Sequence, residues 1–473
     1  MHPIDLSVIA LYLLVTLGIG LYFARRSKGG EEYFVASRQV STMHTALSVV
    51  ATDVGGGFSI GLGGLAFTLG LSASWMLLSG LLAAWLSAVV LIPRVKPLGD
   101  RLGWLTYPDY LEYRYDRRVR LTAACMAALG HMGFVGAQLL AGAKLSSALF
   151  SIDLGTSLAL IAGVAVLYTA LGGMKAVVYT DVVQWLIILV GLCGLALPFA
   201  LLRVGGLEGL RQSLPPGHLR LDQVSWPRFS LWMLTIVPSW LVANTFYQRI
   251  YAARDLQSAK RAWYIAGLFE YPVIAFTAAG LGLCARALFP DVEAETALPR
   301  LIHSVLPVGA MGLVLAAYFS AIMSTADSCL LAAVSLFVHD LYGGLSKRPL
   351  SPRATVVFSQ IVGVVVGAVS VAFALILPRV LDIMLDAYAF MVSALVVPTL
   401  GGLLWPRARA NAAFASMVVG GVAAGVLTYF RDIAPYGEAI LLALPAALLT
   451  LIVGSLASKA EPFVAQESDS PQG

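Results

Sequence analysis

Charge is what this 473-residue chain lacks: Asp, Glu, Lys and Arg make up 12% of it, against 59% hydrophobic residues and a mean hydropathy of +0.83. A soluble globular chain carries about 25% charged residues, so the composition excludes one and requires an integral membrane protein. Cysteine is scarce too. Cys125, Cys193, Cys284 and Cys329 all lie in apolar segments with no Cys-x-x-Cys pair, which argues for small packing residues rather than disulfides or metal ligands. No His/Cys metal cluster or nucleophile–base pairing stands out, so an enzyme is not expected. The formal charge of +5 sits in short loops between apolar runs, where basic residues orient a membrane protein, and no nucleic-acid partner is expected. The first apolar segment has no basic stretch before it and no small-residue cleavage site after it, and reads as a retained span.

What the chain does have is apolar runs of about 20 residues. They fall at 4–24, 44–70, 73–95, 119–149, 156–172, 176–202, 229–251, 261–288, 306–340, 353–377, 380–404, 411–430 and 437–458. The expectation is an all-α polytopic membrane protein of about 13 transmembrane helices in one domain, 1–460, with a disordered cytoplasmic tail at 461–473. Loops on one side hold roughly 22 basic residues against 8 on the other. By the positive-inside bias the N-terminus lies outside and the C-terminus in the cytoplasm, in the inner membrane. The loop of about 205–228 is the weak point, carrying arginines on the outer side.

Within this apolar background, Ala51-Thr52-Asp53-Val54-Gly55-Gly56-Gly57-Phe58 places an acid and three glycines in mid-span. A carboxylate at that depth costs roughly 3 kcal/mol on insertion scales unless it faces protein or a wet cavity, so Asp53 is a functional candidate, here for coupling. The glycines predict a discontinuous helix whose freed carbonyls and N–H groups line a cavity. Close helix packing is the alternative, and Gly57 and Gly61 have its Gly-x-x-x-Gly spacing.

In 306–340, residues Ala321, Ser324, Thr325 and Ser328 fall at i, i+3, i+4 and i+7, on one helix face. The hydroxyls of Ser324, Thr325 and Ser328 form the hard-oxygen stripe an alkali cation prefers; hydrogen bonds back to their own helix are the bland reading. Asp327 lies inside the run. Asp181, in Thr180-Asp181-Val182-Val183-Gln184, could cap or pair with a nearby base, and Glu270 before Pro272 reads as a similar local feature. Lys144 is expected to snorkel outward.

These stretches carry a resemblance. The motifs at 51–58, at Gly172–Gln184, at Tyr247-Gln248-Arg249-Ile250-Tyr251-Ala252-Ala253-Arg254 and at Met323–Tyr342, ending His339-Asp340-Leu341-Tyr342, resemble those of the sodium:solute symporter family, from Tyr33 to about Trp405. The resemblance implies a LeuT-like core of two inverted five-helix repeats, about 44–202 and 229–404, with one extra N-terminal and two extra C-terminal helices. It also implies a co-transported Na+ held by the carbonyls of Ala51, Val54 and Ala321 and the hydroxyls of Ser324 and Thr325. Some members hold a second sodium near the positions of Asp181, Ser324, 327 and Ser328. Here Asp327 stands where a hydroxyl is usual, so Asp181, Asp327 and Ser328 form a second sodium site, a proton site or an ion pair.

A small organic solute would sit by the helix breaks. Gly55, Gly56 and Phe58 would supply N–H groups and an aromatic face, and Trp75, His131, Phe134, Gln138, Trp240 and Asn244 could line the rest, each with simple packing as the alternative. The segment 51–53 resembles the proline-transporting branch, whereas 54–58 and 324–328 resemble the choline-transporting one. An amino acid such as proline or another zwitterion is expected, its carboxylate on helix N-terminal N–H groups and its ammonium on aromatic faces. Proton coupling, choline or betaine uptake, and a membrane solute sensor are the alternatives.

Overall fold

The protein is described from a computed structural model covering residues 2–24, 29–57, 61–346, 350–376 and 379–458. Phe58 and the expected tail at 461–473 lie outside the described residues. Described residues form helices joined by short loops, and ten helical stretches are long and apolar enough to cross a membrane, eleven with one bent pair. The sequence expectation of thirteen differs because two runs are continuous in the structure, 62–102 and 154–204, of 41 and 51 residues. At ~1.5 Å per residue the longer of them has more than twice the length one crossing needs. It is divided at Gly173, whose φ of 65° and ψ of −169° suit only glycine and whose missing side chain admits Tyr33.

In chain order, the helices that position the site are α1 (Pro3–Ala24), α2 (Thr42–Asp53), α3 (Leu62–Leu69), α4 (Trp75–Leu86), α5 (Tyr107–Arg114), α6 (Arg117–Phe150), α7 (Leu154–Ile188), α8 (Trp226–Ser239), α9 (Asn244–Ala252), α10 (Leu256–Phe269), α11 (Ala310–Ser335), α12 (Pro352–Ile376) and α13 (Val380–Met391). Two spans are broken. α2 stops at Asp53 because Val54 leaves helical geometry (φ −77°, ψ 64°) and the Gly55 N–H turns back to Asp53 O at 2.8 Å; the helix resumes as α3. α8 and α9 meet at a 48° bend after Pro238, which has no N–H to extend the ladder.

α11 is the axis of the molecule. The span it belongs to has 94% of its apolar window buried, against 28% for Ile440–Ala457, so the core is inside the bundle and the outer helices present apolar faces such as Leu449 and Val453 to lipid. Cys284 and Cys329 are buried as expected, whereas Cys125 is exposed, on a helix face turned outward.

Loop contacts establish which ends share a side. Ser72 donates to Arg220 O at 2.8 Å and the Trp75 indole to Leu221 O at 2.7 Å, placing the arginine-bearing 205–228 loop beside the end of α3. At the other end Arg120 binds Asp340 at 2.8 Å and Asp109 at 3.0 Å, His339 approaches Asp109 at 3.1 Å, and Arg38 binds Asp100 at 3.3 Å. These are loops of the basic-rich set.

Candidate functional site: an oxygen cradle at the helix break

The hydroxyl stripe of α11 lies against the broken end of α2. Ser324 Oγ donates to Ala51 O at 2.7 Å and to Ala321 O at 3.1 Å. Thr325 Oγ1 donates to Thr52 O at 2.7 Å and to Ala321 O at 3.4 Å. Carbonyls freed by the break and the hydroxyls of two consecutive α11 residues thus converge in a place that is at most 5% exposed. Hydroxyls that donate to these carbonyls keep lone pairs free, so the same oxygens can turn to a cation and coordinate it. Ala51, Ala321, Ser324 and Thr325 are brought together as the resemblance implied. Val54 caps α2, its N–H on Val50 O at 3.0 Å. Thr52, which is absent from the ligand set the resemblance implies, supplies the second carbonyl that α11 touches.

The glycines serve packing as well as the break. A Cβ on Gly55 would come within 2.7 Å of both Gln138 Oε1 and Thr325 Oγ1, and one on Gly56 within 2.7 Å of Ala141 Cβ. The Gly56 N–H already donates to Gln138 Oε1 at 2.7 Å. With the Gly55 N–H turned to Asp53 O, neither is available for a solute carboxylate, a correction to the expected role.

One turn along α2 and α11, at Ser48 and Ser328, Asp181 meets a base. Arg249 Nη2 binds Asp181 Oδ2 at 2.9 Å and donates to Ser328 Oγ at 2.6 Å, its Nε donates to Ser48 Oγ at 2.9 Å, and Ser48 Oγ donates to Asp181 Oδ2 at 2.5 Å. Arg249 is 1% exposed, inside the bundle. Asp327 accepts from Tyr168 Oη at 2.7 Å. Of the options open for Asp181, the structure has the ion pair, with a guanidinium among the oxygens a second sodium would use.

Asp53 points away from the cradle. It faces the carboxyl of Glu270 on the wide π turn Glu270–Ala275 that follows α10, with Trp240 beside it. Phe134 packs edge-on against Tyr388, centroids 4.5 Å apart, and Trp240 stacks on Phe246 at 4.1 Å. The signal for Glu270, an acid beside a proline in an apolar run, was legible; its partner 217 positions away was not. Three expected solute residues have polar groups engaged by the protein itself. Trp75 is held by the 205–228 loop and stacks on Tyr271. Asn244 accepts from the Tyr107 N–H at 2.8 Å and donates to Ser335 Oγ at 2.9 Å, fastening α9 to α5 and α11. The His131 ring bonds Ala127 O of its own helix at 2.7 Å.

A cavity of about 560 Å³ runs from Gly56 past Lys144, Glu293 and Thr296 to Arg379 and Asp382. It reaches the face opposite the Asp109–Arg120–Asp340 cluster, so Lys144 lines a cavity mouth.

The sodium:solute symporter family profile matches residues 33–420. The sodium/pantothenate symporter of Escherichia coli (strain K12) is 31% identical over 88% of this chain and 89% of its own length. The sodium/iodide cotransporter of Homo sapiens is 30% identical over 77% and 59%, and the sodium/myo-inositol cotransporter 2 of Mus musculus 27% over 89% and 69%. A solved Na+-coupled sialic acid symporter in a substrate-bound outward-open state superposes with a TM-score of 0.83 over 98% of this chain and all of its own, at 22% identity, a likeness of fold. The matched region holds both broken spans and the oxygen stripe of α11; the chain belongs to the sodium:solute symporter family, multi-pass membrane proteins that couple solute movement to Na+.

Proposed function

We propose that this protein accumulates a small organic solute with a charged nitrogen, an amino acid such as proline or a similar zwitterion, by alternating access in the inner membrane, N-terminus outside. The observation that carries the sodium half is the convergence of Ala51, Thr52 and Ala321 carbonyls with the Ser324 and Thr325 hydroxyls. Asp53 ends the same half-helix turn and faces Glu270 and Trp240, so an ion that fixes the Ala51 and Thr52 carbonyls also fixes the wall of the solute site. That is the coupling. The relatives' names span pantothenate, iodide and myo-inositol, so the solute is argued from these side chains. The two repeats, about 44–202 and 229–404, would rock about α11, with the 560 Å³ cavity as the outward path and the Asp109–Arg120–Asp340 cluster as the inner closure. Arg120→Gln should loosen that closure: alkylation of a cysteine placed at Thr106 is expected to rise several-fold, and an unchanged rate would remove the cluster from the gate.

Arg249 supports a count of one sodium, because its guanidinium takes up Asp181 and Ser328. One ion falling through ~100 mV supplies about 2.3 kcal/mol and a tenfold gradient about 1.4 more. The sum sustains accumulation of a neutral solute by a few hundred-fold. Uptake into proteoliposomes at that driving force should level there with one charge moved per solute; a plateau near ~10⁵, the square of that ratio, would require a second ion.

A further inference from the structure

Asp53 is 5% exposed and Glu270 fully buried, on different helices, with their carboxyls turned toward each other. Among the described residues no other side chain or backbone N–H reaches Asp53 Oδ2 or either oxygen of Glu270, so the two carboxyls and the Trp240 indole have only one another. Two buried carboxyls that repel each other when both are ionised therefore meet with no counter-charge beside them, where buried charge is ordinarily paired. The place is built for this. α4 passes Glu270 at Gly80, where any Cβ would overlap Glu270 Oε1, and the π turn that starts at Glu270 is a feature that recurs at functional sites. Tyr388 is close enough to feel both carboxyl charges, and with Phe134 and Trp240 it supplies aromatic surface.

We infer that Asp53 and Glu270 form the ammonium-binding half of the solute site, taking a protonated primary or secondary amine through its N–H groups and rejecting a quaternary ammonium. The inference rests on the symport reading above. Carboxylate oxygens are acceptors only. A protonated amine brings positive charge and two or three donors together; a quaternary ammonium brings the charge and the affinity for aromatic faces but no donor for either carboxylate, the situation in which a polar site discriminates most strongly. Trp240 Nε1–H calls for a solute oxygen close to the nitrogen, as in an amino acid or amino alcohol.

The test is a series that differs only in N–H count: ethanolamine, N-methylethanolamine, N,N-dimethylethanolamine and choline, titrated by calorimetry into the purified full-length protein at saturating sodium. Affinity should fall at least tenfold from ethanolamine to choline. Glu270→Gln should weaken ethanolamine at least tenfold and flatten the series, while sodium alone still raises its melting temperature as in the parent. Glu270→Asp, which keeps the charge, should retain the order of the series. Choline binding as tightly as ethanolamine, binding of none of the four, or a series unchanged in Glu270→Gln overturns the inference. Sodium-driven uptake of myo-inositol or pantothenate into proteoliposomes would overturn it and leave the symport reading standing. If neither these nor the amines are accumulated under a sodium gradient, both readings fall.

Discussion

Ser324→Ala with Thr325→Ala is expected to raise the sodium concentration for half-maximal uptake at least a hundredfold. Each substitution alone should raise it roughly tenfold or more, since a hydrogen-bonding group that meets a charge contributes about 1.5–3 kcal/mol. Both hydroxyls already touch the carbonyls they would share with the ion. The effect should appear in sodium affinity, with solute affinity at saturating sodium changed little, because neither side chain faces Glu270 or Trp240. Sodium titrations of uptake at fixed solute decide the matter. Unchanged sodium dependence in both single variants would remove the cradle as the ion site.

The second large effect concerns stability. Arg249→Ala leaves Asp181 buried beside Ser48 with no counter-charge, and breaking a buried pair from one side costs about 3–5 kcal/mol. The variant should melt well below the parent in sodium-free detergent, and sodium should restore part of the loss, since Asp181, Ser328 and Ser48 oxygens then surround a space a cation can enter. Asp181→Asn combined with Arg249→Gln should be milder than either charge removal alone, the coupling a double-mutant cycle reads. Sodium stabilising Arg249→Ala no more than the parent would mean that the guanidinium does not stand in for an ion, and the one-sodium count would lose its support.

How far the sequence carried these readings depended on the range of the interaction. The break after Asp53, the bend after Pro238 and the Ser324–Thr325–Ser328 face are set by residues within two turns of one another, and glycine, proline and helical spacing announce them. Asp53 with Glu270, Asp181 with Arg249 and Asn244 with Tyr107 are pairings across the bundle, and nothing local marks them. Arg249 shows why. Beside Gln248 near the end of the apolar run at 229–251 it has the look of a cation about to enter a loop, yet α9 meets α8 at a 48° bend and holds it buried. Trp75 shows the opposite error: an aromatic in an apolar run looks like pocket wall, but a loop more than a hundred residues later holds its indole.

The π turn at Glu270–Ala275 also bears on how this site can change over generations. Such a turn holds one residue more than an α-helical turn of the same rise, and one residue corresponds to about 100° of rotation. Deleting a single residue between Tyr271 and Ala275 would relax the wide turn and rotate everything on one side of it, carrying either Glu270 off Asp53 or the Phe276–Leu288 segment off its neighbours. The acid is therefore tied to a length as well as to an identity: residues along this stretch can be exchanged one for one, but a shift in the reading of the helix by one position re-addresses the pocket in a single step.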